Sequence, residues 1–138
     1  MSMSDYLENK LLNHVMNNTA YTPAATVYVA LFTADPTDAF TTANEVSAVV
    51  NDTAYARQST ASTTASGTSG AITNSAPITF AAVVYGSGAA PYNVTHFGIC
   101  DAATAGNLLF SGAIGATISR TVGVTLTIGT GQLTTTMA

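Results

Sequence analysis

A chain of 138 residues has the length of one domain and can bury about two-thirds of its unfolded surface. Only 7% of it is charged, against about 25% in typical soluble proteins, and its net charge is −4. Three separated cations, Lys10, Arg57 and Arg120, cannot neutralise a run of phosphates, so no nucleic-acid partner is expected. The lone Cys100 excludes an intrachain disulfide and a cysteine-rich zinc site, and reads as a small buried hydrophobe.

In chain order, Ser4-Asp5-Tyr6-Leu7-Glu8 opens the one substantial helix. Asp5 and Glu8 form a capping-box-like pair favourable at a helix N-terminus. Leu7, Leu11, Leu12 and Val15 recur at helical spacing, and Asn17-Asn18-Thr19 ends the element. Such a helix either caps the open end of a β-domain or docks on a neighbouring subunit, with His14 on its solvated side. The N-terminus lacks the basic start and apolar core of a signal peptide, and no stretch approaches the ~20 apolar residues of a membrane span. The expectation is a protein made and kept in the cytoplasm until it is assembled into something, with no membrane partner.

Thr26–Thr33 is the clearest strand, apolar on both faces and so covered on two sides. It ends at Asp35-Pro36-Thr37-Asp38, where an Asx turn is a simpler reading than a carboxylate pair for metal or acid–base work. Residues 39–53 show no sustained period and read as a long excursion. A strand follows from Tyr55, with Tyr55, Arg57 and Ser59 on one face, and residues 60–70 are a low-complexity surface loop. Ile72, Ile78 and Phe80 mark the next strand or strand pair, with Pro77 at an edge or start. The Gly86–Pro91 loop lacks the context of a phosphate-binding loop.

Tyr92–Ile114 reads as a hairpin around which the remaining strands pack. Asn93, Thr95, Phe97 and Ile99 alternate with Val94, His96, Gly98 and Cys100 across its first strand, and Asp101–Asn107 supplies the turn. Thr121–Ile128 then alternates cleanly, predicting a strand with Val122, Val124, Leu126 and Ile128 inward, and the Thr run after Leu133 predicts a last edge strand. Six to eight short strands behind one helix, without βαβ alternation, predict an all-β, antiparallel β-sandwich or jelly-roll-like fold with one short N-terminal helix. The whole chain, 1–138, is one domain: an arm at 1–18 and a β core at 25–138.

No catalytic residue, cofactor site or metal site is predicted. A hydrolase needs a nucleophile, base and orienting acid brought together, and the only candidates are His96 with Asp101 and Ser111, or Cys100. His96 and Cys100 are four apart on one strand, roughly 13 Å along it, too far for a thiolate–imidazole pair.

Four segments, SDYLENKLLNHV, ATVYVALFTADPTDA, VTHFGICDAATAGNLLFSGAI and TLTIGTGQLTTTM, with YARQ at 55–58 between them, carry a resemblance over nearly the whole chain. It resembles the small structural proteins of tailed bacteriophage virions that are often labelled tail fibre proteins. That resemblance implies an all-β virion subunit without enzymatic activity. A compact, weakly charged domain without a repetitive shaft then points first to a capsid decoration (cement) protein that self-associates as a dimer or trimer on the major capsid protein. The alternative is a tail or tail-fibre-associated structural or receptor-binding module, partnered by tail proteins. The expected contact residues are Tyr6, Leu7, Leu11 and Val15 of the helix, with the 39–53 and 60–70 loops.

Overall fold

The computed structural model describes residues 1–65 and 70–137; positions 66–69 of the low-complexity loop lie outside the described residues. The architecture is all-β with one short N-terminal helix, as expected. The helix α1 spans Asp5–Met16, behind a two-residue strand β1, Ser2–Met3. Its cap is Ser4, whose hydroxyl accepts from the Leu7 N–H at 3.3 Å, so the box expected from Asp5 and Glu8 sits one residue too far in. Both acids lie in the first turn, where the helix dipole favours them. Ser4 also donates its hydroxyl to the Leu108 carbonyl, which ties the start of the helix to the sheet.

Five strands form the main sheet in the order β1-β7-β6-β2-β3, all neighbours antiparallel. Here β2 is Val27–Phe32, β3 Gln58–Thr60, β6 Tyr92–Cys100 and β7 Leu108–Arg120. The predicted hairpin is thus the β6–β7 pair. Its turn is held by Asp101, whose Oδ1 accepts from the Asn107 N–H at 2.6 Å and whose Oδ2 accepts from the Asn107 amide at 2.8 Å. β2 is paired at both edges, and both of its faces are covered, Val29 and Leu31 in one core cluster and Ala30 and Phe32 in another, which explains why both are apolar. Asp35 makes the expected Asx turn, accepting from the Thr37 N–H at 2.9 Å.

The second layer consists of two separate ribbons rather than one continuous sheet. β4 (Ala71–Thr73) pairs with β9 (Thr134–Thr136), and β5 (Ile78–Phe80) pairs with β8 (Leu126–Ile128). Val29 and Leu31 of the main sheet meet Ile78, Phe80, Val83, Val94 and Leu133 in the largest core cluster. Ala30, Phe32, Cys100 and Leu108 form a second cluster under Phe40, and Leu7, Ile99 and Leu109 a third beneath the helix.

Three readings of the strands are corrected. Val94 does not share its surroundings with His96, Gly98 and Cys100. The pairing slips from Val94↔Ile118 to His96↔Ala113, and this bulge turns Val94 into the main core. Tyr55 and Arg57 do not share a strand face with Ser59; both precede the short β3 and are drawn to Glu45. Thr121–Ile128 is not one strand. Gly123 has φ +80° and the Val124 N–H bonds back to Thr121 O at 3.1 Å, so the chain turns there and leaves Val122 and Val124 exposed.

Candidate interaction surface

An amphipathic helix laid on a sheet buries one stripe and leaves the rest to solvent. In α1, Leu7 is buried against Ile99 and Leu109, with Met3, Tyr6 and Leu11 partly covered around it. The apolar stripe does not stop at that contact. Leu12, Val15 and Met16 are 62%, 74% and 75% exposed, and Met137 is 55% exposed. Together with Met3 and Leu11 they line an open groove of about 420 Å³, in which Glu8 is the one charged residue.

The predicted contact residues therefore divide. Leu7 is committed to the chain's own core, Tyr6 and Leu11 are half-buried, and Val15 is presented to solvent. Leu12 was readable as part of the apolar face, and Met16 follows Val15 as Leu12 follows Leu11. Met137 carried no such signal, because only the fold brings it to the helix.

The excursion at 39–53 is held from within. It contains a 3-10 turn, Thr42–Asn44, and bridges at Phe32↔Glu45 and Asp52↔Tyr85. Arg57 bonds Glu45 with Nε at 2.8 Å and Nη2 at 2.7 Å, and its Nη1 donates to the carbonyls of Ala102 and Ala105. That hydrogen-bonded pair holds the guanidinium above its ordinary pKa despite burial. The same carboxylate accepts from the Tyr55 hydroxyl at 3.0 Å, and burial first, then Glu45, pushes that phenol up.

A second buried group uses the other arginine. Asp52 accepts from the Val84 N–H at 2.9 Å, the Ala54 N–H at 3.0 Å and the Tyr92 hydroxyl at 2.9 Å. Arg120 Nη2 lies 3.9 Å from Asp52 Oδ2 and donates to Ala81 O, while Nη1 donates to Val124 O. Burial of Tyr92 in this group raises its pKa.

These two pairs internalise Glu45, Asp52, Arg57 and Arg120. The remaining charged side chains are Asp5, Glu8 and Lys10 on the helix, Asp35 and Asp38 in the turn after β2, and Asp101 in the β6–β7 turn. Those five acids and one base account for the whole net charge of −4.

His96 and Ser111 both line an open cavity of about 560 Å³ with Asp35 and Asp38, but the hydrogen bond of the imidazole, at 2.9 Å, is to Thr95. Asp101 is engaged with Asn107 in the turn. Cys100 is fully buried, which pushes its thiol up to about 12, above the range of a nucleophilic cysteine. Among the described residues, no group of three His, Cys, Asp or Glu side chains is placed to hold a metal ion. Among the same residues, no helix is long and apolar enough to cross a membrane.

Fold and surface define a small all-β protein with an amphipathic N-terminal helix and few exposed charges. The family model of the podophage GP4 fiber I protein gp80 matches residues 2–136, and the chain belongs to that family. It is thus a phage structural protein of fibre type, which places it among the proteins of the virion. No curated protein matches the chain.

Proposed function

We infer that the chain is a non-enzymatic subunit of a fibre-type structure on the virion surface, attached to it through the apolar face of α1. The observation that carries this reading is the exposed stripe of Leu12, Val15, Met16 and Met137 on a chain of this family. Apolar groups exposed together on an otherwise stable domain mark a contact surface. Repetition on a particle turns such modest contacts into firm attachment through effective concentration, with no chemistry required. The partner is a tail or fibre-associated protein, and the arm supplies the grip.

A capsid decoration role is the second reading. It is favoured by compactness: the described residues form β-strands of at most 13 residues and one α-helix, without a repetitive shaft, and suit a subunit lying across joints of the major capsid protein. Quantitative mass spectrometry of purified virions separates the two. A few copies per particle support the fibre reading. A copy number equal to the major capsid protein, or a simple fraction of it, supports decoration. Absence from the particle refutes both.

A further inference from the structure

β2 ends at Phe32, the cross-strand partner of His96, and the 35–38 turn that follows walls one side of the open cavity of about 560 Å³. That volume falls within the ~300–1,000 Å³ of small-molecule sites. The turn is tied in place along its length: Thr41 N–H donates to Pro36 O at 3.0 Å, the Asn44 amide to Asp35 O at 2.6 Å, and Asp5 N–H to Asp38 O at 3.0 Å. The sheet supplies the opposite wall. His96 pairs with Ala113 and Ser111 with Gly98, so His96, Ser111 and Ala113 point to one face.

The polar groups of this cavity are largely unspent. Ser111 is 5% exposed and lines the cavity, yet among the described residues its hydroxyl has no hydrogen-bond partner. A hydroxyl withdrawn from water without a partner is destabilising, and a polar group entering the cavity relieves it. His96 Nδ1 is engaged with Thr95 at 2.9 Å, which leaves Nε2 for another partner. Asp35 gives Oδ1 to the Thr37 N–H and keeps Oδ2, and Asp38 keeps both carboxylate oxygens. Neither carboxylate is ion-paired among the described residues.

We propose that this cavity binds a neutral sugar residue. The set of donors and acceptors selects that class. Two unpaired carboxylates repel an anion, which excludes phosphate and carboxylate ligands. An ammonium group satisfies the carboxylates but has no lone pair to accept from the Ser111 hydroxyl. An apolar ligand satisfies neither. A sugar hydroxyl both donates and accepts, so one ring donates to Asp35 and Asp38 and accepts from Ser111, with His96 Nε2 taking either role. Gly112 and Ala113 add little bulk to the wall, which leaves the ring room to reach these groups. The site lies outside the exposed stripe of α1 and does not depend on attachment through it.

The test is ¹⁵N–¹H NMR of the purified chain titrated with glucose, galactose, mannose, rhamnose and N-acetylglucosamine, each as the free sugar and as its methyl glycoside. Tetramethylammonium and inorganic phosphate serve as charge probes. At least one sugar is expected to shift the amides of residues 37–38, 95–97 and 111–113 together and saturably. Ser111→Ala and Asp38→Asn are each expected to weaken that sugar at least ~10-fold, as loss of one hydrogen bond to a buried or charged group does, while Leu12→Ala leaves it unchanged. Asp38 is exposed, so Asp38→Asn keeps the fold and the test stands even where Ser111→Ala lowers the thermal midpoint. Equal affinity for the two forms means a sugar linked in a glycan, and binding of the free form alone means a soluble sugar; either supports the site. No shift at these amides with any sugar overturns the proposal. So does binding that both variants retain, or tighter binding of tetramethylammonium or phosphate. Virion copy number tests the attachment reading separately, so either can fail without the other.

Discussion

Replacing Asp52 tests whether the buried polar group holds the 47–54 and 83–84 segments together. Its carboxylate is 1% exposed and accepts three hydrogen bonds, from Val84 N–H, Ala54 N–H and the Tyr92 hydroxyl, beside the buried Arg120 guanidinium at 3.9 Å. Asp52→Ala strands two backbone donors and leaves Arg120 as a buried charge without its carboxylate. Breaking a buried pair in this way costs about 3–5 kcal/mol, and stranded donors cost about 1–3 kcal/mol each where water cannot reach them. These costs overlap, so about 4 kcal/mol is expected, a large part of the ~5–15 kcal/mol that stabilises an ordinary domain. Asp52→Asn keeps an acceptor for the backbone donors and removes only the charge, so a loss of about 1–3 kcal/mol is expected. Urea unfolding, followed by far-UV circular dichroism, measures both. A loss below ~1 kcal/mol for Asp52→Ala, or equal losses for the two variants, refutes the account. A double cycle with Arg120→Met then separates the Asp52–Arg120 term from that of the stranded donors.

Two further predictions separate core from surface and acid from base. Leu7→Ala is expected to lower stability by about 2–3 kcal/mol, since Leu7 packs on Ile99 and Leu109, whereas Leu12→Ala, at 62% exposure, is expected to change it by less than ~0.5 kcal/mol and to weaken attachment to the particle instead; thermal melts and pull-down on virions lacking the protein measure the two effects. Stability is also expected to fall in alkali. Burial raises the Cys100 thiol from its ordinary value near 9 to about 12, so above pH ~9 the unfolded chain gives up a proton that the folded chain keeps. The folded form then loses up to tenfold in its equilibrium per pH unit until about pH 12, with Tyr55 and Tyr92, also raised, adding to the loss above pH ~10. Denaturant midpoints of wild type and Cys100→Ala between pH 8 and 10 decide it: equal slopes refute the assignment to Cys100.

Local pattern carried much of this protein. The helix, the doubly apolar β2, the β6–β7 hairpin with its Asp101–Asn107 turn, and the Asx turn at Asp35 all rest on contacts within a few residues or on a clean period of 2 or 3.6. Where the reading departed from the fold, a distant partner was responsible. The strand expected from Thr121 is broken because its first residues bond Val83 and Arg120 instead of continuing a ladder, and Val94 changes surroundings through a bulge in β7 that no period announces. Arg57 and Arg120 read as scattered cations; the fold buries each beside an acid, 12 residues away at Glu45 and 68 at Asp52.

The candidate surface shows the same division. That residues 5–16 form an amphipathic helix was determined by sequence alone, because periodicity needs no partner. Which of its apolar residues are spent on the chain's own core, and which remain for another molecule, was decided only by tertiary structure. Burial depends on how far the sheet extends beneath the helix, and so Leu7 is covered while Val15 and Met16 stand free.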